Sequence, residues 1–143
     1  MNRLREQAID ELVKACISKG QIGNAREAAK LGASQQAIDE LVKACISEGR
    51  TGDAREAAKL GGRELTQQEI DELVKACINK GPIENAREAA KLGGRELTQQ
   101  EIDELVKACI SKGWIGDARE AAKLGGRELT QQEIIDLTEV VRS

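Results

Sequence analysis

Residues 98–129 read TQQEIDELVKACISKGWIGDAREAAKLGGREL. Thr98 followed by Glu101 is the pattern of a capping box: the hydroxyl accepts from an early backbone N–H while the carboxylate reaches back to the cap. Leu97 before the cap and Ile102 after it fit a hydrophobic staple. Ile102, Leu105, Val106 and Cys109 then recur at helical spacing, which predicts one apolar stripe. Asp103 and Glu104 stand at i,i+4 and i,i+3 from Lys107, where ion pairs are expected on another face. Gly113 predicts the end of this helix, at a left-handed position. A second, shorter helix is expected to be capped by Asp117, with Glu120 completing another box; Asn24, Asp53 and Asn85 fill the same role elsewhere. Its inward face is Ala118, Ala121 and Ala122. Small residues let two helix axes approach toward the lower end of the ~8–10 Å range. Leu124 is expected to supply bulk, and Gly125-Gly126 to break the helix.

The same phrase returns along the chain. Cys16, Cys45, Cys77 and Cys109 each close Leu-Val-Lys-Ala-Cys, and each is followed by Ala-Arg-Glu-Ala-Ala-Lys-Leu-Gly. Residues 66–97 and 98–129 differ only at Asn79/Ser111, Pro82/Trp114, Glu84/Gly116 and Asn85/Asp117. Gly32-Ala33-Ser34 is three residues shorter than its later counterpart, 61–66. Fixed-period self-similarity is the mark of repeat architectures. Four hairpins are expected, at about 1–33, 34–65, 66–97 and 98–129, with a closing helix at about 130–143, all read as one domain. A hairpin this small has too little apolar area to stand alone, and stacking neighbours would bury a continuous core. The expected fold is therefore all-α, an α-solenoid of antiparallel helix–turn–helix repeats with about nine helices. In the closing helix Thr138 replaces the Val of the pattern and Arg142 the Ile after Cys, as a more polar end requires. At the other end Met1–Arg5 lacks the Thr cap, so fraying is expected there. Such identity between repeats fits either recent duplication or consensus-style engineering; the uneven first linker leans toward duplication.

Composition narrows the function classes. The 143 residues carry a net charge of −3, no His, Tyr or Phe, and one Trp. The core must be built from Ile, Leu, Val, Cys and Ala. No basic block exists to neutralise a phosphate backbone, so nucleic acid is not an expected partner. No run of 18 apolar residues and no secretory leader is visible, so membrane insertion and export are unsupported and a cytoplasmic location is the default.

Ile102-x-x-Leu105 with Gly113-x-Ile115-x-x-Ala118 resembles the tetratricopeptide-like superfamily of helical hairpins, over nearly the whole chain in four copies. Ile102 stands where that family prefers Trp, Cys109 and Ile115 where it prefers Tyr, and Ala122 where it often has Phe. The repeat of 32 residues departs from the family's 34, and the helix-ending Pro is missing. The resemblance implies that the first helix of each hairpin lines a concave face. Gln100, Asp103, Lys107, Ile110 and Ser111 would then face a groove, as would Gln68, Asp71, Lys75, Ile78 and Asn79. Their counterparts are Gln7, Asp10, Lys14, Ile17 and Ser18, and Gln36, Asp39, Lys43, Ile46 and Ser47. These positions hardly vary, which suits a repetitive ligand or none.

Other features have competing readings. Each cysteine is alone and about one repeat from the next, whereas metal sites want clustered ligands and disulfides want Cα atoms within about 7 Å. Packing in the core is the expected role. Asp103 and Glu104 do not share a helix face, and no residue nominates a catalytic site. The Gly-Gly pairs lack the strand and the Lys-Ser/Thr of a phosphate loop. Trp114 occupies a turn position held by Gln21, Arg50 and Pro82 elsewhere, which predicts exposure; it is either an ordinary turn residue or a binding anchor. The stripe Ile17, Ile46, Ile78 and Ile110 either packs between repeats or forms an exposed ribbon joining two copies. The expected function is a non-enzymatic scaffold that binds a protein or peptide in its groove, with no cofactor. The alternative is a structural or engineered repeat protein without a natural ligand, which self-associates.

Overall fold

A computed structural model describes residues 2–80 and 82–143, and among these lie nine α-helices. They are α1 (Asn2–Ser18), α2 (Ile22–Ala29), α3 (Gln35–Ser47), α4 (Thr51–Leu60), α5 (Gln67–Lys80), α6 (Ile83–Leu92), α7 (Gln99–Ser111), α8 (Ile115–Leu124) and α9 (Gln131–Arg142). The arrangement is an all-helical repeat, with α1 packed on α2, α3 on α4 and α7 on α8. The contacts divide the chain into two compact units, Met1–Leu73 and Val74–Ser143.

The first unit is built as the apolar periodicity requires. Ile38, Leu41, Val42 and Cys45 on α3 are buried, as are Ala54, Ala57 and Ala58 on α4. The short linker at 32–34 brings α2 directly against α3. In the second unit Ile102, Leu105, Val106 and Cys109 on α7 meet the alanine face of α8, where Ala118, Ala121 and Ala122 are wholly buried. Capping boxes form at Thr98/Glu101 and Thr130/Glu133 with both hydrogen bonds present, and at Thr66/Glu69 in the first unit. Gly113 closes α7 at φ 72°, and Gly126 follows α8 at φ 73°. α1 is helical from Asn2, and Met1, where part of the expected fraying falls, lies outside the described residues.

Three sequence expectations are corrected. The second helix of each hairpin does not start from Asp117 and its counterparts. α8 begins at Ile115 with Trp114 as its N-cap, and Arg50, Pro82 and Gln21 hold the same place in α4, α6 and α2. None of these four supplies a side-chain cap. Asp117 instead lies in the first turn, where its negative charge favours the positive end of the helix dipole. Leu124 is exposed rather than adding core bulk. Asp103 is held by Gln99 and Arg127 rather than by Lys107.

That last contact belongs to a clamp that spans the long linkers at 61–66 and 125–130. Arg63 donates to both oxygens of Glu69 at 2.8 and 3.1 Å and reaches Asp39 at 3.3 Å. Arg127 does the same with Glu133, at 2.9 and 3.0 Å, and with Asp103 at 3.6 Å. The guanidinium thus ties the capping carboxylate to the preceding first helix. The linker that is three residues shorter has no such arginine. Asp10 instead accepts from the Ser34 backbone N–H at 2.9 Å and its hydroxyl at 2.6 Å. The short linker is therefore tightened by a serine in place of the arginine.

Candidate functional site

The residues expected to face a groove fall into three groups. Gln68, Gln100, Lys75, Lys107, Asn79 and Ser111 are exposed. Asp71 and Asp103 are half-buried and accept from Gln67 at 3.1 Å and Gln99 at 3.2 Å, and Asp103 also meets Arg127. Ile78 and Ile110 are buried, at 2% and 7% exposure, as packing between helices would have them. Of the predicted set, Lys107, Ile110 and Ser111 come together with Asp136, Glu139 and Val140 of α9 around a shallow concavity of about 600 Å³. Its rim is mostly polar and acidic.

A second concavity lies on the other side of α9, and sequence reasoning missed it. Ile115, Arg119 and Lys123 of α8 form one wall; Ile134, Leu137, Val141 and Arg142 of α9 form the other; Glu128 and Leu129 of the linker close it. Its volume is about 610 Å³. Isoleucine and leucine line the floor, and Arg119, Lys123 and Arg142 outnumber Glu128 around it. α8 and α9 have little backbone contact, unlike α2 and α3 across the shorter linker. Ile115 is 52% exposed, although Ile22 and Ile83 at the same repeat position are 1% and 7% exposed. Comparing those three isoleucines was the one available signal, and it needs the fold to be read.

Trp114 directly precedes Ile115 in the chain. It is exposed, as its variable position predicted, and the Lys112 ammonium lies 4.7 Å from its ring centroid. That cation–π contact is worth about 0.5–1 kcal/mol at an exposed site.

The ionisable groups are structural. Hydrogen bonds from Arg63, Arg95 and Arg127 hold the carboxyls of Glu69, Glu101 and Glu133 below their ordinary value, helped by the cap backbone N–H groups. Burial pushes the Cys45 thiol up to about 12 and raises that of Cys109. Cys45, Cys77 and Cys109 are buried and Cys16 is half-buried, and none of the four is joined in a disulfide. Among the described residues no group of three His, Cys, Asp or Glu is placed to hold a metal ion, and no helix is long and apolar enough to cross a membrane. The chain matches no family model, no curated protein and no solved structure.

Proposed function

We propose that this chain is a non-enzymatic scaffold of the tetratricopeptide-like kind, which binds a protein or peptide segment. The observation that carries this is Ile115: a side chain buried in other repeats stands open on an apolar groove of about 610 Å³ with a cationic rim. Exposed apolar concavities with a polar rim are the usual form of an interaction site. The test uses the anionic apolar dye 8-anilinonaphthalene-1-sulfonate, whose two properties match the groove. Wild-type protein should enhance its fluorescence saturably, and Ile115→Asp should remove the effect without loss of helicity. A dye signal that survives Ile115→Asp would mean that the groove is not the apolar binding surface.

A second reading is favoured by the other end of the chain. Leu4, Leu12 and Leu31 of the first hairpin are exposed, and a structural protein could self-associate through them. Light scattering at two concentrations separates the readings: a concentration-dependent mass that Leu12→Glu abolishes supports self-association, and a constant monomer mass excludes it.

A further inference from the structure

The α8–α9 groove is best understood beside the helix that covers α7. On α7 the stripe Ile102, Val106, Cys109 is closed over by α8, the second helix of its own hairpin. α9 repeats the first-helix pattern, yet at the same positions Ile134 and Val141 are 52% and 59% exposed. The groove therefore has the form that a second helix would fill.

The same place one repeat earlier shows what fills it. Arg87, Lys91, Glu96 and Leu97 are the counterparts of Arg119, Lys123, Glu128 and Leu129. There Leu124 of α8 joins them, and the remaining space is only about 80 Å³. A helix with an alanine face and a leucine near its end reduces the opening to that remnant. Charge adds a second requirement. Arg26 on α2 meets Asp53 and Glu56 of α4, the next second helix, at 2.7 and 2.8 Å. Arg119 is the counterpart of Arg26 and is exposed on the groove wall. On α6 the equivalent Arg87 turns to Glu84 of its own helix at 4.0 Å. The leucine contact is thus the chief feature and the ion pair strengthens it.

A second copy of this chain is a poor occupant. Its second helices α2, α4 and α8 are packed on the first helix of their own hairpin, and α9 already stands where that first helix would have to go. What the groove lacks is a second helix without a first.

We propose that the α8–α9 groove seats a single amphipathic helix of a partner protein, with carboxylates three residues apart flanking an alanine face and a leucine four residues beyond. This rests on the groove being a binding surface at all, as proposed above. The pattern is that of Asp53, Glu56 and Leu60.

The probe is an acetylated, amidated peptide copying residues 50–63, which contains no Trp, so that Trp114 beside Ile115 reports on the groove. Short isolated helices are marginal in water, so saturation is expected at high micromolar to millimolar peptide, on the order of 10⁻⁴–10⁻³ M. Ile115→Asp should abolish the Trp114 response. Arg119→Glu should weaken binding by about tenfold or more, and a peptide carrying Asp53→Lys and Glu56→Lys should restore it on that variant. Both altered residues are exposed, and circular dichroism checks that the helices remain. No saturable response, indifference to Ile115→Asp, or no rescue by the charge-reversed peptide would each overturn the proposal. Self-association that Ile115→Asp abolishes would also overturn it, since a second copy would then be the occupant. Dye bound with peptide refused leaves the groove standing and removes the helical partner; neither bound removes both.

Discussion

Helices α7 and α9 open with the same Gln-Gln-Glu-Ile and are fixed by the same capping box. Their fates differ at the next level. Ile102 is 7% exposed and Ile134 52%; Cys109 is 3% exposed and Val141 59%. Only Leu137 is buried as deeply as its counterpart Leu105. The local code for a helix is therefore the same in both, and burial is decided by whether a second helix covers the stripe. α9 is only half adapted to being uncovered. Thr138 and Arg142 are polar where α7 has Val106 and Ile110, but Ile134 and Val141 remain apolar.

The largest expected difference lies in one substitution made twice. Ile102→Ala should destabilise by about 2–5 kcal/mol, because it leaves a cavity under α8. Ile134→Ala should change stability by about 0.5 kcal/mol or less, as exposed sites do. Equal losses by chemical denaturation would break the comparison, since α9 would then be covered in solution.

Next in size is Ala122→Leu. Ala122 is wholly buried where α8 meets α7, and overpacking such a contact costs about 1–3 kcal/mol. An unchanged melting temperature would mean that α8 does not close on α7 and that the stripe of α7 is as open as that of α9.

The caps should behave alike at both helices, which sharpens the contrast. Thr98→Ala and Thr130→Ala each remove the hydrogen bond that the hydroxyl accepts from the backbone N–H of Glu101 or Glu133, and each should cost about 1 kcal/mol. The pH dependence should also be common to both. Glu101 and Glu133 are held below the ordinary 4.5 in the folded chain, first by Arg95 and Arg127. The unfolded chain therefore binds protons first. This stabilisation is complete above about pH 4.5 and is lost as pH falls from there through the lower folded values. Acid titration of Glu101→Gln and Glu133→Gln should show a shallower decline than wild type; an identical decline would mean that neither carboxylate is tied to its arginine.

Much of the hairpin was legible because its causes are local. The spacing of Ile102, Leu105, Val106 and Cys109, the boxes at Thr98 and Thr130, and the left-handed Gly113 all act within a few residues. The start of α8 was misread for a local reason too. Asp117 and Glu120 imitate a capping box, while the true cap, Trp114, contributes only its backbone carbonyl, which accepts from Ala118 N–H at 2.9 Å. The clamps were illegible because Arg127 and Asp103, or Ser34 and Asp10, meet across 24 residues. Ile110 and Ile78 had two readings in the sequence, and their burial, which favours packing, depends on the tertiary fold. The α8–α9 groove was hidden for the same reason. Ile115 and Ile22 stand in the same local pattern, and their burial differs with the helices packed around them.

The central claim is that α9 carries an unfilled seat for a second helix. It is tested most directly by appending a second copy of residues 112–126 after Ser143 and comparing melting temperatures and dye binding with the original chain. A filled seat adds one more interface to the stack, so the melting temperature should rise and the dye signal should fall. An unchanged melting temperature with dye binding intact would contradict the claim.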